Sequence, residues 1–134
     1  MYTHEGRVAF SDTDAAGVVH FTKILNYVEI AEHEMFRSHG HSVLMQINDS
    51  SQIGWPRMHV DCDYKLPLQF EDEFSIEIEI AELKEKLMSY QFKVLKNERI
   101  SAQGTMTIAC VIKKGGHIKA IEIPQEIRAF IDSI

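Results

Sequence analysis

The sequence contains few cysteines, which cross-link a chain, and few prolines, which interrupt helices and strands. Its 134 residues include only two cysteines and three prolines. Two cysteines cannot form the disulfide framework of a small secreted domain, so a reducing, cytoplasmic location is predicted. The first residues lack the pattern of a signal peptide. No apolar run approaches the roughly 18 residues of a membrane span, so no membrane partner is expected.

Clusters of positive charge are also missing. The chain has 14 Lys and Arg residues against 20 Asp and Glu, a net charge of -6, and no basic run. Nucleic acid is therefore not expected as a partner. An anionic small molecule can still bind where a few cations stand together. The length and the 45% hydrophobic content fit one domain over residues 1–134.

One long amphipathic helix is predicted, because apolar residues recur every three or four positions between residues 21 and 36. They are Phe21, Ile24, Leu25, Val28, Ala31, Met35 and Phe36. Thr22 is expected to cap the start of this helix and Gly40 to end it. Its polar face includes Glu29 and Glu32, which are predicted to be solvated.

Before and after this helix in the sequence, apolar residues recur at every second position, which predicts strands. The predicted strands are 2–10, 59–66, 74–80, 88–94, 100–112 and 117–121, with a loop at 48–51. Pro124 is expected to open a short last helix. The apolar stripe of the helix must be buried against another apolar surface, and one face of the predicted sheet can provide it. This order predicts an α+β fold with a curved antiparallel sheet of about five strands wrapped around one long central helix, the hotdog fold. Its exposed edge predicts pairing with a second copy.

The segment Asp12-Thr13-Asp14-Ala15-Ala16-Gly17-Val18-Val19 carries the clearest chemical pattern. Two acidic residues precede a glycine turn that leads into the helix, where free backbone N–H groups can bind developing negative charge. A carboxylate beside such donors can attack a polarised carbonyl or activate water. Aspartates in such turns also serve as simple caps, so the spacing alone leaves both interpretations open.

This segment resembles the motif of the 4-hydroxybenzoyl-CoA thioesterase family, Asp-x-Asp-x-x-Gly-(Val/Ile)-Val followed by the long helix. Residues 54–57, 62–68 and 70–73 are also similar to that family, so the resemblance covers essentially the whole chain. It implies a hotdog fold and hydrolysis of an acyl-CoA thioester to free acid and CoA, with no metal or redox cofactor. It also implies that Asp14 is the catalytic carboxylate, that Gly17 gives the turn, and that the Phe21 N–H holds the thioester carbonyl.

The motif is most similar to the 1,4-dihydroxy-2-naphthoyl-CoA thioesterase subgroup, which has the same start and a Phe at position 21. Many relatives carry Tyr-His where this chain has His20-Phe21, so no family role transfers to His20. We expect His20 to contact substrate, to tune Asp14, or to be structural. An aromatic or short acyl group is favoured, since the Phe21 ring can pack against it. The resemblance leaves open whether Asp14 acts as nucleophile or general base.

Three cations are candidates for binding the phosphates of CoA, namely Arg57, Lys84 and Lys86. The family site needs two chains, so a homodimer or homotetramer is predicted. Two alternatives remain, a dehydratase on the same fold and a non-catalytic module that binds acyl-CoA or an acyl-carrier protein. The pair His39-Gly40-His41 lacks a further ligand at a usual spacing, so no metal site is expected.

Overall fold

The computed structural model describes all 134 residues and contains nine strands and two α-helices. The elements are β1 (Tyr2–Arg7), α1 (Phe21–Ser38), β2 (Met45–Asn48), β3 (Ser51–Gly54), β4 (Arg57–Tyr64), β5 (Glu73–Leu83), β6 (Leu87–Lys96), β7 (Arg99–Ala109), β8 (Val111–Lys114), β9 (His117–Ala120) and α2 (Gln125–Ser133). The α+β class is confirmed. The predicted number of about five strands is too low, because a second sheet is present.

The main sheet has five strands in the order β1-β5-β6-β7-β4, and all of its pairs are antiparallel. Alternate residues of β5 and β6 point to one face, as their period of two predicted. The buried ones are Phe74, Ile76, Ile78, Met88, Tyr90, Phe92 and Val94. This face packs against α1, so the sheet and the helix stripe share one core.

Helix α1 begins at Phe21 and buries Ile24, Val28 and Met35. Its N-cap is His20, whose ring accepts from the Thr22 N–H, so the predicted cap at Thr22 is wrong. The helix begins two residues earlier than a cap at Thr22 would require, so the His20 Nδ1 accepts the bond in place of the Thr22 hydroxyl. Gly40 follows the helix with a φ of +79°, which confirms its predicted role at the C-terminus.

The second sheet has the order β2-β3-β8-β9 and was not predicted as a sheet. The predicted loop at 48–51 is only the turn between β2 and β3. The predicted strand 100–112 divides at Cys110, whose N–H donates to the Lys86 carbonyl at 2.9 Å. Beyond that point the chain leaves β6 and pairs with β3 and β9. Apolar residues continue without interruption across the point where the pairing strand changes, so the sequence does not reveal the change.

Strand β4 forms one edge of the main sheet and pairs only with β7. Gly104 of β7 permits this pairing, since a Cβ there would lie 1.9 Å from the Asp61 carbonyl oxygen. The other edge of β4 is unpaired, and Met58 and Val60 on this strand are 63% and 43% exposed. Such an edge can pair with another chain. The predicted oligomer stays a prediction.

No helix in the chain combines the length and the apolar character needed to cross a membrane.

Candidate active site

Asp14 lies in a closed turn that connects β1 to α1. The Asp14 N–H donates to the Val18 carbonyl at 2.9 Å, and the Gly17 N–H donates to the Asp14 carbonyl at 3.0 Å. Gly17 has a φ of +80°, in the region that favours glycine. The Asp14 carboxylate is exposed, and its Oδ1 accepts from the Ala16 N–H at 2.8 Å. Its Oδ2 accepts no hydrogen bond from the chain.

The same turn ends at the start of α1. Residue 21 is the first helical residue, and its N–H donates to no acceptor in the protein. Helix starts carry such orphan donors together with partial positive charge, so they bind anions and polarise carbonyls. The turn therefore holds an exposed carboxylate and an unused N–H donor on one short segment.

His20 caps the helix and does not contact Asp14. Its Nδ1 accepts from the Thr22 N–H at 3.3 Å and lies 2.7 Å from the Thr22 hydroxyl. Its ring stacks on Phe21 with centroids 4.6 Å apart. His20 therefore has a structural role as the N-cap of α1. The predicted contact with substrate stays a prediction.

Asp12 fixes the shape of the turn from its inner side. Its Oδ2 accepts from the Tyr27 hydroxyl at 2.6 Å and from the Ala9 N–H at 3.2 Å. Burial and the Asp12 carboxylate raise the pKa of Tyr27 well above its usual value, so the phenol keeps its proton and stays a donor. Asp12 is therefore engaged on the protein side, whereas Asp14 faces solvent.

Aromatic rings surround the helix start at the protein surface. The Phe21 ring is 61% exposed, so it does not point into the core as the first member of the helix stripe. Tyr64, at the end of β4, meets it edge-on with centroids 6.5 Å apart. Tyr64 was not identified from the sequence, because its contact joins residues 43 positions apart. These exposed rings form a surface on which an aryl group can pack.

Arg57 does not extend freely into solvent. Its Nη1 donates to both carboxylate oxygens of Glu32, at 3.1 and 2.8 Å, and its Nη2 donates to Glu29 at 3.1 Å. Glu32 is completely buried and also accepts from the Tyr90 hydroxyl at 2.7 Å. The prediction that Glu32 is solvated is wrong, because the sheet supplies two donors for it. Binding of phosphate by Arg57 stays a prediction. The guanidinium would have to bind the phosphate while it also pairs with Glu32 and Glu29.

Lys84 and Lys86 lie far from Asp14 within one chain. They occupy the turn between β5 and β6, whereas the Asp14 turn lies beyond the Glu73 end of β5. A strand of this length spans roughly 30 Å at about 3.3 Å per residue. Lys84 is exposed and pairs with Glu82 at 3.5 Å. One chain therefore does not bring these lysines to the carboxylate.

His39 and His41 both lie against the last helix. Both rings stack on Phe130 of α2, with centroids 4.9 and 5.3 Å from it. His39 Nδ1 also lies 3.1 Å from the Met35 carbonyl oxygen. The two histidines therefore pack α2 against the end of α1.

The fold, one long helix packed on an antiparallel sheet, is that of the hotdog thioesterases. The profile of the thioesterase-like superfamily matches residues 8–131. The chain belongs to this superfamily, and the predicted enzyme class, a thioester hydrolase, is confirmed.

Similar proteins include two named relatives and one solved structure. An acyl-CoA thioesterase, YbgC, from Haemophilus influenzae is 26% identical, with 92% of this chain and 88% of the relative covered. A 1,4-dihydroxy-2-naphthoyl-CoA hydrolase from Synechococcus sp. is 30% identical, with 74% and 69% covered. The structure of a gentisyl-coenzyme A thioesterase has a TM-score of 0.82 at 28% identity, with 96% of this chain and 98% of that chain covered. The predicted likeness to the 4-hydroxybenzoyl-CoA family and its naphthoyl-CoA subgroup is confirmed.

Proposed function

We propose that this protein hydrolyses acyl-CoA thioesters, with Asp14 as the reacting carboxylate. The observation that carries the proposal is that one turn presents the free Asp14 Oδ2 and leads, seven residues later, to the unused Phe21 N–H at the helix start. The named relatives act on CoA thioesters, which supports the same chemistry here.

The proposed reaction begins when the thioester carbonyl oxygen accepts from the Phe21 N–H. This contact strengthens as negative charge builds on that oxygen. Asp14 then either attacks the carbonyl carbon or takes a proton from water that attacks it. In the first route the C–S bond breaks, CoA leaves as the thiolate, and water cleaves the resulting anhydride. In the second route the attack of water breaks the C–S bond directly, and the proton taken by Asp14 passes to the leaving thiolate. Both routes end in a free acid and CoA, and neither needs a metal or redox cofactor.

The test is a hydrolysis screen over aromatic, short and long acyl-CoAs with a dye that reacts with free thiol. Release of thiol is expected with at least one ester. A protein that binds acyl-CoA without releasing thiol would be a binding module. Formation or loss of a double bond in the acyl chain without thiol release would indicate a dehydratase.

We expect higher catalytic efficiency on benzoyl- or naphthoyl-CoA than on palmitoyl-CoA. The exposed Phe21 ring can pack edge-on or offset against an aryl group. A pocket contact of this kind gives discrimination of roughly 10- to 200-fold at most. Phe21→Ala should narrow the ratio of the two efficiencies, because it removes the ring and keeps the backbone N–H. The measurement is kcat/KM for each ester.

Phe10→Ala is the matched control for this prediction. Phe10 is 74% exposed and packs edge-on against Phe70, 5.7 Å away. Its removal should leave the ratio of efficiencies unchanged. A preference for palmitoyl-CoA that Phe21→Ala does not alter would contradict a role of the ring in selecting the acyl group.

We further propose that two copies pair through the free edge of β4 and that the site needs both. A two-fold axis across β4 makes the paired strands antiparallel, so opposite ends of the two sheets come together. The Lys84–Lys86 turn of the second copy then lies at the Asp14 end of the first. There the lysines can meet the phosphates of CoA, as the sequence predicted. Both cysteines are free thiols, which fits the proposed cytoplasmic location.

The wild-type protein is expected to be at least a dimer at micromolar concentration by light scattering. Val60→Lys should shift it toward the monomer and lower activity, because charge on an edge strand opposes pairing. Ile118→Lys is the control, since Ile118 is 64% exposed on β9 of the second sheet. An active wild-type monomer would contradict the two-chain site.

A further inference from the structure

Tyr64 connects the edge strand to the first residue of α1. It is the last residue of β4, and its hydroxyl donates to the Phe21 carbonyl at 3.0 Å. A carbonyl has two lone pairs, so this oxygen can accept from Tyr64 and from the helix together. The bond therefore adds an external contact to the residue whose N–H faces the proposed reaction.

The backbone that carries Tyr64 is held firmly. Tyr64 pairs with the buried Ala102 in β7. The next two N–H groups, of Lys65 and Leu66, both donate to the Ser101 carbonyl, at 2.8 and 3.1 Å. The Ser101 hydroxyl, on a residue only 2% exposed, donates back to the Leu66 carbonyl at 2.6 Å. Tyr64 thus projects from a well-bonded end of the sheet.

Residue 21 has few other contacts that could fix its orientation. Its side chain is mostly exposed, so core packing does not hold it, and its ring stacks on that of the preceding residue, His20. Its N–H has no protein acceptor. The cap from His20 reaches the next residue, Thr22, through a long bond of 3.3 Å. Apart from the helix itself, the Tyr64 hydroxyl gives the only hydrogen bond to this residue.

We infer that Tyr64 is a positioning residue that holds the Phe21 peptide so that its N–H points at the substrate carbonyl. The inference rests on the proposed function. Misalignment of an oxyanion donor lowers the rate of the chemical step more than it weakens substrate binding, since the donor acts most strongly in the transition state. Because Tyr64 stands on the strand proposed for pairing, its bond also ties the helix start to the subunit edge.

The test uses Tyr64→Phe, which removes the hydroxyl and keeps the ring. With benzoyl-CoA, kcat should fall roughly 3- to 10-fold, the range of one modest hydrogen bond, while KM stays within about twofold. Tyr2→Phe is the matched control, because the Tyr2 hydroxyl makes no hydrogen bond in the chain, and it should keep wild-type kcat. In parallel, ¹⁵N relaxation should show a lower order parameter at the Phe21 amide in Tyr64→Phe than in wild type.

Each outcome decides the inference. A drop in both kcat and the Phe21 order parameter supports it. An unchanged order parameter, or a lower one with unchanged kcat in an active enzyme, overturns it. A rise in KM alone would make Tyr64 a substrate-binding residue and also overturns it. If the wild type releases no thiol from any acyl-CoA, the proposed hydrolysis fails. The order parameter then still shows whether Tyr64 fixes Phe21.

Discussion

Asp14→Asn is expected to lower kcat by about 10²-fold or more, the effect of removing a catalytic carboxylate. An amide can neither attack a thioester effectively nor accept a proton from water at neutral pH. The fold should be unaffected, because the Asn Oδ1 can still accept from the Ala16 N–H as the carboxylate does. The measurement is steady-state thiol release, with circular dichroism to confirm folding.

Asp49→Asn is the control for this loss of activity. Asp49 is an exposed acidic residue in the turn between β2 and β3, away from the helix start. It should keep wild-type kcat. If Asp14→Asn also kept wild-type turnover, the carboxylate would have no part in the reaction.

The two routes open to Asp14 can be separated by mass. Attack by the carboxylate forms an anhydride, which adds the acyl group to the chain until water removes it. Activation of water adds nothing to the chain. A rapid-quench experiment with benzoyl-CoA followed by intact-mass analysis therefore distinguishes a nucleophile from a general base.

Local periodicity was enough to predict most of the main sheet and the long helix. The strict alternation at Ile76 and Ile78 indicated one buried face, and both residues are fully buried. The turn from Asp14 to Gly17 was also evident, because glycine and small residues mark tight backbone geometry. Each of these features depends on residues that are close in sequence.

Features that depend on distant partners could not be predicted in the same way. The break at Cys110 follows a change of pairing strand, and a continuous apolar pattern gives no sign of it. Glu32 was assigned with Glu29 to a solvated face of the helix, because both are charged and Asp14 already fitted the catalytic role. Its burial depends on Arg57 and Tyr90, which are 25 and 58 residues away. The order of residues alone does not show that a donor will reach a carboxylate across the fold.

Arg57→Met is expected to lower the free energy of unfolding by about 3 kcal/mol, the lower end of the cost of breaking a buried ion pair. The change keeps an unbranched apolar side chain, although a shorter one, and removes the charge. Glu32 is then left fully buried, with the Tyr90 hydroxyl as its one remaining hydrogen-bond donor and the His33 Nε2 4.0 Å away. Burial and the Glu32 charge raise the pKa of Tyr90 well above its usual value, so this donor stays a neutral phenol. The measurement is urea unfolding at constant m-value.

Arg37→Met is the control, and it lies on α1, the helix that carries Glu32. Arg37 pairs with Glu34 at 2.6 Å, but both side chains are largely exposed, at 58% and 40%. Exposed pairs of this kind contribute about 0.5 kcal/mol or less. A similar loss in Arg37→Met and Arg57→Met would show that the buried position of Glu32 has no special effect.

The loss of stability in Arg57→Met should come from leaving the buried Glu32 carboxylate without its charged partner. The loss of the attraction between Arg57 and Glu32 should contribute less. A triple variant, Arg57→Met with Glu32→Leu and Tyr90→Phe, removes the buried carboxylate together with its two hydrogen-bond donors and leaves the half-exposed Glu29 in place. Replacement of a buried pair by apolar residues of similar volume is often neutral or stabilising. The triple variant should therefore recover most of the stability that Arg57→Met loses. A triple variant less stable than Arg57→Met would mean that the network itself supplies net stability. Glu32 would then be buried because it strengthens the fold, and its partners would not merely compensate for its burial.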